Sequence, residues 1–588
     1  MAAGGNITND KELLKLQIQF FKEQRLTEEA KLKVEKEITK RQDKDWGIQQ
    51  MILKQKNTDV IIEEKKRQQL VLENELELSK AKRMKTTHEK HPISSSDILA
   101  VLKDHNTFYN LYVKKQHHGF DINKVLNNNN NNNNYYLNEK TIGFIRNYFN
   151  SVLLLKEINE DKIQVLFQGL ILNLLNELSD YTVLKYVDTH SISSINATFR
   201  PDCCFLYKNV NINCVGGRKC LQDFIICVGE YKKSNRSMTD SVGQIFHYLH
   251  LLLDKQNRKK IYGFLINNKQ MIFLYVEKGD KPDLYDYYES ENLDMFINIP
   301  KRLSSVAMSI TNKQWRKKYL NEVTWKIFTN FLTMNENFFE YRMLNIDHRD
   351  DLLGNKYEIM QKLGSGLTSM VYLLRNNENN SLNDDTELHV LKISKCHGFE
   401  ENFINEVKIT NELKQLNDLD KFNSFFQDIL HDSPTGRFLI FNNVLEHIQS
   451  LKSDHLSQLV DIIQCLYDSH IIHRDIRPQN LMIDCDRKHL KLIDFGFAIK
   501  YETIKKLSIA GTITYASDDL LNCYLKSLLN GKYSTDYHYE RMFDLKCTLN
   551  LIMSMINERV SVQLNAIEEL PPTIDKVKRA ADYGQTQL

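Results

Sequence analysis

Apolar residues fall along this chain in three rhythms. From about residue 10 to 90 they are sparse and roughly helical in spacing: Leu13, Leu16 and Phe20, then Leu72 and Leu76, stand among Lys, Glu and Gln. No heptad holds for several turns, so residues 1–90 are expected to form a charged helical arm or a broken coiled coil. Pro92 and Ser94-Ser95-Ser96 end that pattern, and asparagine runs without a break from Asn127 to Asn134. Such a tract cannot bury apolar surface, so 91–139 reads as a linker. From 140 to 300 the apolar positions become dense. Val165–Leu178 predicts a buried helix, Phe199–Phe205 a turn into a strand, and Phe224–Lys232 an apolar strand. A second helix is expected over Val242–Leu253, then a strand pair from Ile261–Asn267 and Gln270–Lys278. Residues 301–350 are helical and aromatic (Trp315, Trp325, Phe328, Phe331, Phe338, Phe339) and read as a connector. Strands and then helices fill 351–588. The expected class is a multidomain α+β protein.

Composition narrows the reading. A chain of 588 residues suggests about three or four domains. With 78 Lys+Arg against 76 Asp+Glu, the formal charge is +2, which argues against an overall basic nucleic-acid binder and leaves local basic patches open. The cluster Lys80, Lys82, Arg83, Lys85 reads as a solvated helix end, with a nuclear localisation signal as the alternative. The ten cysteines lack zinc spacing; Cys203, Cys204, Cys214, Cys220 and Cys227 lie in apolar, strand-like sequence and read as buried thiols. The first residues lack a signal-peptide core, and no apolar run reaches the ~18 residues a membrane span needs. The expected location is cytoplasm, nucleus or both.

Two stretches carry chemistry. In the middle region, Asp202 begins one strand, and Glu230 and Lys232 end the next. Strand alternation puts Glu230 and Lys232 on one face. Two carboxylates can hold Mg²⁺, and a lysine can assist the water that attacks a phosphodiester. Asp202, Glu230 and Lys232, with Gln244 on the following helix, resemble the PD-(D/E)xK restriction-endonuclease-like fold. That resemblance implies an α/β endonuclease-like domain over 140–300 with Asp202 and Glu230 as metal ligands. It also implies DNA or RNA as a partner, for which Arg200, Arg218, Lys219, Lys232, Lys233 and Arg236 suit a phosphate backbone.

The richer stretch runs from Ile471 to Ala498. It holds His473-Arg474-Asp475, then Arg477 and Asn480, then an apolar strand and Asp494-Phe495-Gly496. Phosphoryl transfer needs such a set: one group to orient the attacking hydroxyl and two oxygen ligands for Mg²⁺. This run resembles the catalytic loop and DFG segment of eukaryotic protein kinases. Upstream, Leu363-Gly364-Ser365-Gly366, with Ser369 in the third glycine's place and Val371 beyond, resembles the glycine-rich loop. Lys392 resembles the lysine that contacts the α- and β-phosphates. Glu406 is the expected partner of Lys392, with Glu412 the runner-up. Phe438–Phe441 is the expected strand into the hinge, and Asn442–Leu445 the adenine-contacting linker.

The kinase resemblance implies a bilobal domain over 351–588 that takes ATP and Mg²⁺. It assigns Asp475 to the substrate hydroxyl, Arg477 to the transferred phosphoryl, Asn480 and Asp494 to the metal, and Arg474 to a phosphorylated activation loop. Thr503, Ser508, Thr512 and Thr514 are the candidate phosphosites. Gly511–Ala516 resembles the GTxxYxxP segment, and Thr512 favours serine/threonine specificity. Asp519 stands where the family's Ala-Pro-Glu has its longer Glu, and Asp544 is the expected brace of the catalytic loop. The span from Asp494 to Leu588 is short, so the late helices are expected to be reduced or missing. The expected function is ATP-dependent phosphorylation of protein serine or threonine. The alternatives are an ATP-binding pseudokinase, and a Mg-dependent nuclease regulated by the kinase-like domain. The joining of the two resembles Crinkler-type proteins. The N-terminal helix offers a surface for self-association, and no membrane is expected.

Overall fold

The structure is a computed structural model that describes residues 105–127, 137–155, 160–189, 200–213, 220–232, 238–279, 281, 284–299, 311–350, 356–377, 388–395, 398–501, 507–529, 536–568, 570 and 574–587. The expected helical arm with its basic cluster, the asparagine tract beyond Asn127, Cys214, Arg218, Lys219, Lys233, Arg236 and Thr503 lie outside the described residues. The protein is a mixed α+β protein with a kinase-like domain, and its chain divides into two compact units.

The first unit is built on an eight-stranded sheet in the order β1-β7-β6-β5-β4-β3-β2, with β8 beside β6. Its strands are β1 (His117–Phe120), β2 (Leu184–Asp188), β3 (Cys203–Tyr207), β4 (Cys227–Tyr231), β5 (Lys260–Ile266), β6 (Gln270–Lys278), β7 (Tyr285–Ser290) and β8 (Leu293–Asp294). The β4–β5 and β1–β7 pairs are parallel. Every residue of β3 and β4 is buried; the apolar run of β3 suits a strand covered on both faces, and β4 buries Glu230 along with its apolar residues. Helices α1 (Glu139–Leu154) and α2 (Glu160–Glu177) pack together, with α2 against β2 and β4. Helix α3 (Met238–Lys255) packs across β4, β5 and β6. Gly229 has no room for a side chain, since a Cβ there would run into the Phe264 ring and sit 2.7 Å from Cys203 Sγ. Cys203, Cys204, Cys220 and Cys227 are buried thiols.

Two expected boundaries move. β1 lies inside the expected linker 91–139, yet pairs with β7. Its sequence, His-His-Gly-Phe, has too little apolar contrast to signal a strand. The described part of the expected connector, residues 311–350, supplies core material. Helices α4 (Asn312–Tyr319) and α5 (Glu322–Leu332) pack on the same unit. Phe328 meets Phe167 and Phe264, Phe331 meets Phe273, and the Trp325 indole N–H donates to Met295 O at 2.9 Å. Burying such large aromatic rings is strongly favourable, and the sheet face is where they find cover.

The kinase-like part opens with a five-stranded sheet, order β12-β13-β11-β10-β9. These are β9 (Tyr357–Ser365), β10 (Ser369–Asn376), β11 (Leu388–Ser394), β12 (Ile429–Asp432) and β13 (Phe438–Phe441). Helices α6 (Glu400–Leu416) and α7 (Leu419–Phe425) precede β12. A helical region follows, with α8 (Ser453–Asp468), α9 (Asp518–Leu529), α10 (Phe543–Ile556), α11 (Glu558–Glu568) and α12 (Ile574–Gln587). The late helices are expected to be reduced or missing; among the described residues two follow α10. Val560, Leu564 and Ile567 of α11 and Val577, Ala580 and Ala581 of α12 enter the same core as Leu459, Leu490 and Leu551. Among the described residues, no helix is long and apolar enough to cross a membrane.

Candidate active site

Asn480 and Asp494 flank a hairpin that closes a short sheet. Strands Leu481–Ile483 and Leu490–Leu492 pair antiparallel, with Leu481 opposite Leu492. This register brings Asn480 and Asp494 to neighbouring strand ends, and Ile493 N–H donates to Asn480 O at 3.0 Å. Before the hairpin, His473 N–H and Arg474 N–H donate to the two oxygens of buried Asp544, at 2.6 and 3.0 Å. The brace expected of Asp544 is thus made from α10. Asn480 Nδ2 donates to Asp475 O and Oδ2 at 2.8 and 3.1 Å, the Arg477 Nε lies 3.2 Å from Oδ2, and Thr512 N–H donates to Oδ1 at 2.7 Å.

Lys392 joins three elements. Its position on β11 aims Nζ at Glu406 Oε2 of α6, 2.5 Å away, and at Asp494 Oδ1, 2.7 Å away. Glu412, the runner-up, faces Lys500 instead, at 3.9 Å. Burial alone would lower the Lys392 ammonium, but the Asp494 and Glu406 carboxylates outweigh it and hold it above its ordinary value. Burial likewise opposes charge on Asp494, and Lys392 overrides it, so this carboxyl lies below the usual range. Asp494 itself takes a left-handed φ of 71°.

Sequence comparison agrees with this geometry. Residues 357–536 match the family described as "Protein kinase domain". The chain carries a protein kinase domain. The chain is 28% identical to Aurora kinase C of Mus musculus over 175 residues, which are 28% of this chain and 62% of that protein. It is 25% identical to Aurora kinase B of Xenopus tropicalis over 28% of this chain and 47% of that protein. It is 30% identical to mitogen-activated protein kinase 14 of Arabidopsis thaliana over 29% of this chain and 49% of that protein. The chain therefore spans from about half to just under two thirds of the length of these curated relatives.

Within the kinase domain, the loop between β9 and β10 is a tight hairpin in which Gly366 N–H donates to Ser369 O at 2.9 Å. Ser369, in the third glycine's place, is buried. Sequence reasoning missed Lys395, whose Nζ donates to Gly366 O at 2.5 Å and tethers the loop to the end of β11. Asp519 has a lysine partner, Lys546 Nζ at 2.6 Å, in an exposed pair. Asn480, with Nδ2 committed to Asp475, keeps its side-chain carbonyl for a cation, and Asp494 is held charged. That donor set fits Mg²⁺, which takes one or two protein oxygens and fills its shell with water and phosphate.

The middle unit gathers a second cluster. β3 pairs antiparallel with β4, Cys203 opposite Gly229, so Asp202 comes beside Glu230. Asp202 N–H donates to Glu230 Oε2 at 3.2 Å, and Tyr231 N–H donates to Asp202 Oδ2 at 2.7 Å. Lys232 Nζ and Gln244 Nε2 both reach Glu230 Oε1 at 2.6 Å. All four sequence-selected residues converge. Sequence reasoning missed Glu160, at the start of α2, whose Oε1 is 3.2 Å from Lys232 Nζ. Burial, with Asp202 adding repulsion, pushes the Glu230 carboxyl up to about 8 against the pull of Lys232. Among the described residues, no group of three or more His, Cys, Asp or Glu is placed to hold a metal. Asp202 and Glu230 alone fit Mg²⁺ only with substrate oxygens completing the shell.

Proposed function

We propose that the kinase domain transfers the γ-phosphoryl of ATP to a serine or threonine hydroxyl of a protein. The observation that supports it best is the Lys392–Glu406–Asp494 junction, which joins β11, α6 and the segment after the hairpin through one buried ammonium. Leu363 and Val371 flank the adenine, and the Gly364-Ser365-Gly366 backbone approaches the phosphates. Lys392 holds the α- and β-phosphates. The hydroxyl oxygen attacks the γ-phosphorus, the bond to the β–γ bridging oxygen breaks, and ADP leaves. Asp475 orients the hydroxyl and accepts its proton, while Arg477 faces the charge on the moving phosphoryl. Asn480 and Asp494 would hold Mg²⁺, which would supply positive charge against the phosphate oxygens. Thr512 beside Asp475 supports a serine or threonine acceptor. The partners are ATP and a protein substrate, in cytoplasm or nucleus. An ATP-binding pseudokinase is disfavoured because the lysine, aspartates and asparagine are all present. Transfer of label from γ-labelled ATP to a general protein acceptor by wild type but not by Asp475→Ala tests the proposal; equal transfer by both sinks it.

The convergence of Asp202, Glu230, Lys232 and Gln244 supports a second reading, a Mg-dependent, endonuclease-like site that takes DNA or RNA. Asp202 and Glu230 would hold the metal, and Lys232 would assist the attacking water. Incubation of the full chain with labelled DNA and RNA, with and without Mg²⁺, tests it, and Mg-dependent cleavage that persists in Glu230→Ala counts against it.

A further inference from the structure

Helix α6 meets the Asp494 segment through more than Glu406. Asn402, Asn405 and Glu406 stand at helix spacings of three and four, on one face. Asn402 Nδ2 donates to Gly496 O at 3.2 Å. Asn405 Nδ2 donates to Ala498 O at 2.8 Å and to Gly496 O at 3.2 Å, with Phe495 O at 3.4 Å. The helix backbone comes so close that a Cβ on Gly496 would sit 3.3 Å from Asn402 O. Carbonyls on both sides of Phe497 are therefore bound to the helix by neutral amides. Neutral hydrogen bonds do not depend on a protonation state or on a phosphate.

A second observation points the same way. The kinase resemblance assigns Arg474 to a phosphorylated activation loop, yet Arg474 is already engaged. Its Nε donates to Phe497 O at 2.5 Å and its Nη1 reaches Ser508 O at 3.4 Å. Its guanidinium carbon lies 5.1 Å from the centre of the buried Tyr539 ring, a cation–π arrangement. Burial also holds this guanidinium below its ordinary value. Tyr539 in turn accepts from Ala510 N–H at 3.0 Å, so ring, arginine and segment form one connected group.

We propose that Asn402 and Asn405 are positioning residues that latch the Asp494-Phe495-Gly496 segment to α6, and that with Arg474 seated on Tyr539 the domain transfers phosphoryl without a phosphate on its activation segment. The proposal rests on the kinase reading above and specifies the regulation of that same site.

The test uses the full chain in two states, as purified and after treatment with a protein phosphatase. Two readouts are taken: phosphoryl transfer, and hydrogen exchange of the backbone amides from 495 to 500, where Ala498 N–H is bonded to Phe495 O. Phosphatase-treated wild type should keep its rate within about twofold. In the Asn402→Ala/Asn405→Ala double variant, and in the isosteric Asn405→Asp, exchange in this segment should rise roughly tenfold. The turnover number should fall by a similar factor, with the KM for ATP moving less. Asn405→Gln, which keeps the amide, should recover part of the rate. Unchanged exchange in both loss variants, with exchange elsewhere intact, overturns the latch whatever the activity. Loss of wild-type transfer on phosphatase treatment overturns phosphate independence. No transfer by wild type in either state, with the exchange difference intact, instead overturns the kinase reading and the regulatory half with it.

Discussion

The two clusters use the same ingredients to opposite ends. Each buries a lysine against carboxylates: Lys392 between Glu406 and Asp494, Lys232 against Glu230 and Glu160. In the kinase domain the ammonium holds Asp494 charged, while burial still pushes the Glu406 carboxyl beside it up to about 7. In the middle unit burial outweighs the pull of Lys232, and the Glu230 carboxyl is pushed up to about 8. The difference follows from exposure and from neighbours. Asp494 keeps a quarter of its side chain in solvent, whereas Glu230 keeps 2% and has Asp202 beside it. A lysine near a carboxylate is therefore not a sign of function by itself; the balance of burial and charge decides which state is ready.

The contrast can be broken most sharply at the charged site. Lys392→Ala and Asp494→Asn should each lower phosphoryl transfer on the order of 10²-fold or more, measured with γ-labelled ATP, because each removes an electrostatic contact to the phosphates or their metal. Wild-type rates in both would end the kinase assignment.

At the other site, Glu230→Ala should abolish any Mg-dependent cleavage of DNA or RNA and leave phosphoryl transfer unchanged. Simultaneous loss of both activities would mean that the two units are coupled. A milder substitution reads the protonation difference directly. A carboxyl with a folded value of about 8 and an ordinary value of 4.5 holds its proton better folded than unfolded. Its stabilising contribution is full below about pH 4.5 and is lost as pH rises through about 8. Wild type should therefore lose on the order of 1–3 kcal/mol relative to Glu230→Gln between pH 5 and pH 9. Denaturant titrations at the two pH values measure this, and equal slopes for the two proteins would mean that Glu230 is not a buried acid. The smallest effect belongs to an exposed pair. Lys546→Ala, which strips Asp519 of its partner, should change stability by no more than ~0.5 kcal/mol, since both side chains are largely solvated. A larger loss in a thermal melt would give that pair a role that neither buried cluster explains.

The kinase site was largely legible in the sequence, because its motifs are short, ordered along the chain and tied to fixed local geometry. Glu406 was separable from Glu412 only once α6 was placed, since both lie on one helix and the register decides. Asp202, Glu230 and Lys232 were legible through strand alternation, while Glu160 was not: an acidic first turn of a helix reads as a favourable terminal charge. Asn402, Asn405 and Lys395 left no local signal, because their partners are backbone carbonyls up to 94 residues away. Much of the fold followed from apolar rhythm. The edge strand β1 did not, and α4 and α5 looked like a bridge because aromatic-rich helices read alike whether they link domains or line a core.

The ring of Tyr539 beneath Arg474 differs from a phosphate in one practical respect: no hydrolase can take it away. A signal written as a modification is erased in minutes, but a side chain lasts as long as the molecule that carries it. If the proposed latch holds, a phosphatase has no switch to throw in this segment.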